Sequence, residues 1–478
     1  MEERKGFGSN FGFLMAAVGS AVGLGNIWGF PYKMGANGGF TFLMVYIFLG
    51  VTTGFVVMIS ELAIGRKTGK GAVEAYKMVS KKFKWMGWMG IASAFFILFF
   101  YCALGGYCLK YTVLNIGNLF NAGFGSNGMN GAEVFGAFMG NPTEAVIYGL
   151  IFVALTMLIV MGGISGGIEK VCSVGMPCLF VALIICIIRA CTLPGAVDGL
   201  KYMFVPGWAL ANGVIEKAPN FFEVLSTAGG QMFFSLSLGM GIMITYGSYL
   251  DKKENLEKNA ILIIVMDTLV ALMAGLCVIP GRFALDPTGN LGGPSLLFVT
   301  MQNVFHNMGV VGPIFGILFY LLVVFAAISS SISLLEAVVA HFVDKARESG
   351  KGDKRKKYTL IAAVAVGVGA ILICADSLGG ASFTPWKLLG LETYSGWNDC
   401  WLDFFDMLSE GIMMPLSALL MSLMIGWELG PEIVKNECEA TPGHRMTSYG
   451  FFKICIRFIT PLCMLLVLYG QVCTFFGL

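Results

Sequence analysis

Charge is what this 478-residue sequence has least of. Only 13% of its residues are Asp, Glu, Lys or Arg, about half the share of roughly 25% found in soluble domains. So few charges do not cover a water-exposed surface, which argues against a soluble enzyme. The net charge of +2 leaves no electrostatic footprint for a nucleic acid. Histidine is nearly absent as well: His306, His341 and His444 are all there are. None lies in a recognisable catalytic or metal-binding motif, so an intramembrane enzyme is the least supported class. The thirteen cysteines lack the paired spacing of a zinc site and read as small apolar filler. Cys374 and Cys400 flank an expected external loop, a placement that permits a disulfide without requiring one.

What remains is apolar. Hydrophobic residues make up 56% of the chain, and the mean hydropathy is +0.78. Each stretch of about 20 apolar residues suffices to cross a hydrocarbon core of roughly 30 Å. The pattern predicts an all-α polytopic membrane protein with eleven spans, at 10–36, 39–65, 86–118, 143–162, 168–190, 221–250, 255–281, 311–344, 358–376, 401–427 and 449–477. The first ten residues run straight into the first span with no small-residue cleavage site, so they are read as leading into it rather than as a signal peptide.

Basic residues set the orientation. Arg4 and Lys5, then Arg66, Lys67, Lys70, Lys77, Lys81, Lys82 and Lys84, fall on one side. Lys345, Arg347, Lys351, Lys354, Arg355, Lys356 and Lys357 join them. The other side has mainly Lys201, Lys217, Arg282 and Lys387. This predicts a cytoplasmic N-terminus and an extracytoplasmic C-terminus. The 282–308 connection, with Asp286-Pro287-Thr288-Gly289 and Gly292-Gly293-Pro294, is long enough to suggest a lid. Ser295 to His306 is read as a short helix dipping back toward the membrane.

The chain's 64 glycines suit close helix packing, but two clusters interrupt spans. In the first span the run is Gly19-Ser20-Ala21-Val22-Gly23-Leu24-Gly25-Asn26. Unwinding there would free carbonyls for a cation and amides for an anion. The sixth span carries Gly229-Gly230-Gln231 and Ser235-Leu236-Ser237-Leu238-Gly239-Met240-Gly241. Either motif alone reads equally as small-residue packing. Interrupted spans at matching positions of two five-span units point to a transporter site. In the eighth span, Ala326, Ser329 and Ser330 lie on one face that Leu334 continues. Hydroxyls on such a stripe serve a hard cation or bond back to their own helix.

Intramembrane charge points to function. Glu61, in the second span, is placed to accept bonds from freed amides. Asp267 sits within Val265-Met266-Asp267-Thr268 of the seventh span. Asp403, Asp406 and Glu410 open the tenth span, where a solvated helix start is the stronger explanation, because acids favour helix N-termini.

The motifs Gly19 to Trp28 followed by Phe30-Pro31-Tyr32, Gln231 to Gly239, and Thr245-Tyr246-Gly247-Ser248-Tyr249 resemble the neurotransmitter:sodium symporter family and its LeuT-type bacterial members over nearly the whole chain. The resemblance implies inverted five-helix repeats at 10–190 and 221–427, an extra helix at 449–477, and helices 1 and 6 unwound at mid-membrane. It implies two sodium ions. One would use Ala21, Asn26, Ser235 and Asp267 with the substrate carboxylate; the other would use Gly19, Val22, Ala326, Ser329 and Ser330. The substrate would meet Ser20, Ala21, Gly23, Leu24, Gly25, Ile97, Tyr101, Phe234, Ser235, Ser237, Met240, Ser330 and Leu334. Arg4, Ser248, Tyr249 and Asp344 would form the cytoplasmic gate, with Asp406 at the external one.

Three positions depart from the family pattern. Gly29 stands where an arginine is usual, Asp267 where an asparagine is usual, and Phe7 where a gate tryptophan is usual. With Ala271 offering no hydroxyl, Asp267 would supply the negative charge that chloride gives animal members. Its carboxylate is also a candidate to carry a proton on the return step. The expectation is sodium-coupled, chloride-independent import of a neutral, hydrophobic amino acid across a bacterial inner membrane, as a monomer or weak dimer. Alternatives are a non-standard substrate such as an amine or amino-acid derivative, and a solute sensor without turnover.

Overall fold

The computed structural model describes residues 6–286, 293–350, 352, 354–390 and 399–476. Arg4, Lys5, Lys351 and residues Pro287 to Gly292 lie outside the described residues. All regular structure among the described residues is helical.

Among the described residues, nine helices are long and apolar enough to cross a membrane, and a bent pair brings the number to ten. The pair is α1 (Asn10–Ala21) and α2 (Gly25–Ala36), inclined by 45°. The others in the first half are α3 (Phe40–Thr68), α4 (Met86–Leu119), α5 (Pro142–Met161) and α6 (Ile164–Cys191). The expected interrupted span at 221–250 is two pieces, α7 (Phe221–Ser235) and α8 (Ile242–Gly247), separated at the Ser235–Gly241 cluster. Each is too short to qualify alone. The remaining helices are α9 (Leu256–Leu285), α10 (Gly309–Glu348), α11 (Arg355–Gly379), α12 (Trp401–Leu429) and α13 (Tyr449–Phe475).

Local chemistry sets the helix starts. Ser9 caps α1 by accepting the Gly12 amide at 2.9 Å. Asn141 precedes α5, where Pro142 occupies the first turn that needs no donor. Asn220 and Asn255 cap α7 and α9. Between α7 and α8, Ser237, Gly239 and Gly241 take φ of +54°, +79° and +73°, which no right-handed helix accommodates.

Burial separates centre from rim. The apolar windows of α3 and α4 are 78% and 72% buried, against 28% in α6 and 33% in α5 and α13. The first two therefore belong to the middle, while the others present broad apolar faces outward, as a lipid-facing surface requires. The broken pairs α1/α2 and α7/α8 sit in the centre with α3, α4, α9 and α10 around them. Residues 293–307 are helical and bury Leu296, Leu297, Phe298, Met301, Val304 and Phe305. The Trp28 ring nitrogen donates to the Gly293 carbonyl at 3.0 Å, tying this segment to α2. Cys374 and Cys400 are both free thiols and buried.

Candidate functional site

Helix α1 ends at Ala21 and helical geometry returns at Leu24, so the carbonyls just before the gap lose their usual partners. They face α10. Ser330 Oγ lies 3.3, 3.0 and 3.5 Å from the carbonyls of Gly19, Ser20 and Val22. Ser329 Oγ lies 3.4 Å from the Val22 carbonyl and 2.9 Å from that of Ala326. Two oxygens bound at right angles to a cation about 2.4 Å away lie roughly 3.4 Å apart. The grouping therefore matches a hard cation's shell. It also satisfies the serines through their own bonds.

A second oxygen cluster surrounds Asp267, which is fully buried. Asn26 Nδ2 donates to its carboxylate at 2.8 Å and to its backbone carbonyl at 3.1 Å. Ser235 Oγ lies 2.9 and 3.0 Å from the two carboxylate oxygens, and the Tyr46 hydroxyl donates at 3.2 Å. A buried carboxylate needs this much compensation or a counter-ion. Tyr46 carried no sequence signal; it lies in a uniformly apolar run.

Between the clusters is a closed cavity of about 10 Å³ lined by Ser20, Ala21, Gly23, Gly25, Ile97, Tyr101, Phe234, Ser237, Met240, Ser330 and Leu334, room for roughly one water. Eleven of the thirteen expected substrate residues therefore line one space. Leu24 and Ser235 do not: the Leu24 amide donates to the Tyr101 hydroxyl at 2.8 Å, and Ser235 is turned to Asp267. Gly23 is obligatory here. A Cβ at this position would lie 2.2 Å from the Tyr101 hydroxyl and 2.3 Å from Ser330 Oγ. Ser237, in left-handed geometry without being glycine, donates to the Ser20 carbonyl at 2.9 Å. Strain of that kind is held where surrounding structure over-determines it. Glu61 Oε1 accepts the Gly239 amide at 2.7 Å, the role expected for it.

Above the cavity, Gln231 Nε2 donates to the Gly25 carbonyl at 2.6 Å. A Cβ on Gly29 would come 2.7 Å from Gln231 Oε1, so glycine at this position lets the glutamine press against α2. One turn further along α2, Lys33 forms a buried ion pair with Glu410. Glu410 is thus not a solvated helix-start residue, because its partner lies on a distant helix. Asp406 is half-buried beside them.

At the opposite end, the Tyr249 hydroxyl donates to Glu336 Oε1 at 2.7 Å, and Arg355 pairs with the same carboxylate. Asp344 Oδ2 accepts the Gly71 amide at 3.2 Å. Ser248 Oγ donates to the Thr245 carbonyl at 2.5 Å. The Phe7 ring packs edge-on against Phe13, 5.5 Å away, and Tyr246, 5.6 Å away. Glu336 and Arg355 are additions that no local motif announced.

Central broken helices, a closed apolar cavity and two flanking oxygen clusters define a membrane transporter for a small solute. The model of the sodium:neurotransmitter symporter family matches residues 4–123 and 137–477, and the chain belongs to that family, which comprises sodium-coupled transporters rather than enzymes. It is 34% identical to the sodium-dependent transporter YhdH of Bacillus subtilis, described as uncharacterized, over 96% of both chains. It is 32% identical to an uncharacterized sodium-dependent transporter of Methanocaldococcus jannaschii, over 91% of this chain and 84% of that one. The crystal structure of MhsT in complex with L-phenylalanine superposes with a TM-score of 0.83 at 34% identity, covering 98% of this chain and all of the other.

Proposed function

We propose that the chain imports a neutral, hydrophobic amino acid with sodium, independently of chloride, by alternating access in an eleven-span, LeuT-type arrangement of two inverted repeats. In this reading α7 and α8 together form the sixth span. The N-terminus is cytoplasmic and the C-terminus extracytoplasmic. The observation that carries the reading is the cavity enclosed by Ile97, Tyr101, Phe234, Met240 and Leu334, with freed backbone at its polar end. A zwitterion enters such a space only when both of its charges are met. Amides at the start of α2 suit its carboxylate, and carbonyls of the α1 and α7 ends suit its amine. MhsT, bound to L-phenylalanine, supports an amino acid of this kind.

The closed cavity is too small for phenylalanine, so binding requires Phe234 and Met240 to move apart. Sodium binds at Ala21, Asn26, Ser235 and Asp267, and again at Gly19, Val22, Ala326, Ser329 and Ser330. Because the substrate carboxylate completes the first set, ion and substrate raise each other's affinity by the same factor. Asp267 carries the compensating negative charge, and Ala271 offers chloride no hydroxyl.

Uptake of radiolabelled amino acids into proteoliposomes tests this. Accumulation with sodium inside-low and no change on replacing chloride by gluconate is the expected result. Equal uptake in choline overturns sodium coupling, and binding without accumulation favours a sensor. The position of Gly29 against Gln231 motivates a second reading, a substrate of unusual shape such as an amine or amino-acid derivative. Competition by amines but not by amino acids would select it.

A further inference from the structure

The arginine that the family pattern places at position 29 is missing, yet this end of the bundle is not left without an ion pair. Lys33 is four residues beyond Gly29, and Glu410 is four residues beyond Asp406, so each keeps its predecessor's helix face. Their side chains are only 11% and 8% exposed. Lys33 is a long, flexible cation, and its ammonium lies 5.8 Å from the Tyr32 ring centre. Glu410 packs against Gly230 of α7, where an added Cβ would come 3.0 Å from its carboxylate. The cavity, Gly25, Gly29 and Lys33 follow one another along α2, with Gln231 of α7 bonded to the Gly25 carbonyl, and the ion pair joins α2 to α12.

We propose that Lys33 and Glu410 form the external latch of this transporter, a relocated ion pair that holds α2 against α12 and closes the path to the cavity. The proposal rests on the transport reading above. Gly29 is part of the device. It lets Gln231 lie on α2, in the place a side chain at position 29 would displace, and the cation sits one turn along. A buried pair of this kind is strongly disrupted by removing one partner, because the other is left charged and alone. Both residues act by positioning helices and touch neither substrate nor ion.

Hydrogen exchange read by mass spectrometry on the full-length protein tests the latch without knowing the substrate. Lys33→Met and Glu410→Gln are each expected to speed exchange about tenfold or more over 30–37 and 401–413, leaving 66–76 and 336–348 at the other end unchanged. The exchanged pair, Lys33→Glu with Glu410→Lys, restores slow exchange. Unaltered exchange at 30–37 in both single variants overturns the latch. A rise spread equally over both ends marks a general loss of stability and overturns it too. If Lys33→Met does not fold, Glu410→Gln carries the same comparison. Sodium-driven uptake by the unaltered protein is measured in parallel. Its absence would sink the transport reading, whereas the exchange pattern reports on the latch alone.

Discussion

The two oxygen clusters beside the cavity are built on different plans. The one at Asp267 contains a carboxylate and draws donors from three helices besides its own: Tyr46 of α3, Asn26 of α2 and Ser235 of α7. The one at Ser329 and Ser330 contains only neutral oxygens and spans a single contact, between the end of α1 and the face of α10. The first is a fixture whose parts hold one another whether or not an ion is near. The second is a seam. A cation there bridges two elements that otherwise touch through weak serine contacts of 3.0–3.5 Å. An ion can shift a conformational equilibrium only through a difference in affinity between states. The seam is therefore where occupancy by sodium should bias opening, and the Asp267 cluster is where it should bias substrate binding.

The strongest way to break this comparison is Asp267→Asn. Removing the only charge in the first cluster leaves a sodium ion uncompensated in a buried place, a loss on the order of 3–5 kcal/mol. Half-saturation for sodium in uptake should rise about a hundredfold or more, and, with Ala271 offering chloride no hydroxyl, equally in chloride and in gluconate. A loss no greater than that from a serine variant would remove the distinction between the clusters. Ser329→Ala and Ser330→Ala come next. Each deletes one neutral ligand, about 1 kcal/mol, so sodium half-saturation should rise about fivefold. Sodium should also lose much of its power to slow hydrogen exchange across 10–21. If these variants lower substrate affinity without changing that exchange, the seam is not the conformational element.

How much of this was legible in the sequence depends on whether the signal was local. Gly23, Gly25 and Asn26 announce a break because they are poor residues for the middle of a span, while the family resemblance, rather than any local signal, named the eleven residues that line one cavity. In span 221–250 the glycines between Ser235 and Gly241 marked where it divides, but not which residue turns the chain, since Ser237 at φ +54° is invisible in composition. Glu410 was ambiguous for a physical reason. An acid near the start of a helix is favourable by itself, and nothing nearby shows that Lys33, 377 residues away in the chain, reaches it. Glu336 and Arg355 escaped notice in the same way, as a buried acid on a long helix and one base in a basic run.

Tyr46 is the mildest test of the fixture. Its hydroxyl is the third and longest donor to the Asp267 carboxylate, at 3.2 Å, against 2.8 Å from Asn26 and 2.9 Å from Ser235. It arrives from a position 221 residues away in the chain. Tyr46→Phe keeps the ring, which packs 5.0 Å from Phe30 and 6.2 Å from Phe42, and removes only the donor. If the carboxylate is held mainly by the other two donors, the cost is about 1 kcal/mol or less. Sodium half-saturation should then rise no more than about fivefold, with the fold and the exchange rates of α1 unchanged. Asn26→Ala, which removes a closer donor and an expected ligand together, should weaken sodium binding more. If Tyr46→Phe instead matches Asp267→Asn, the hydroxyl is indispensable to the charge it touches, and the cluster depends on α3 as much as on α2 and α7.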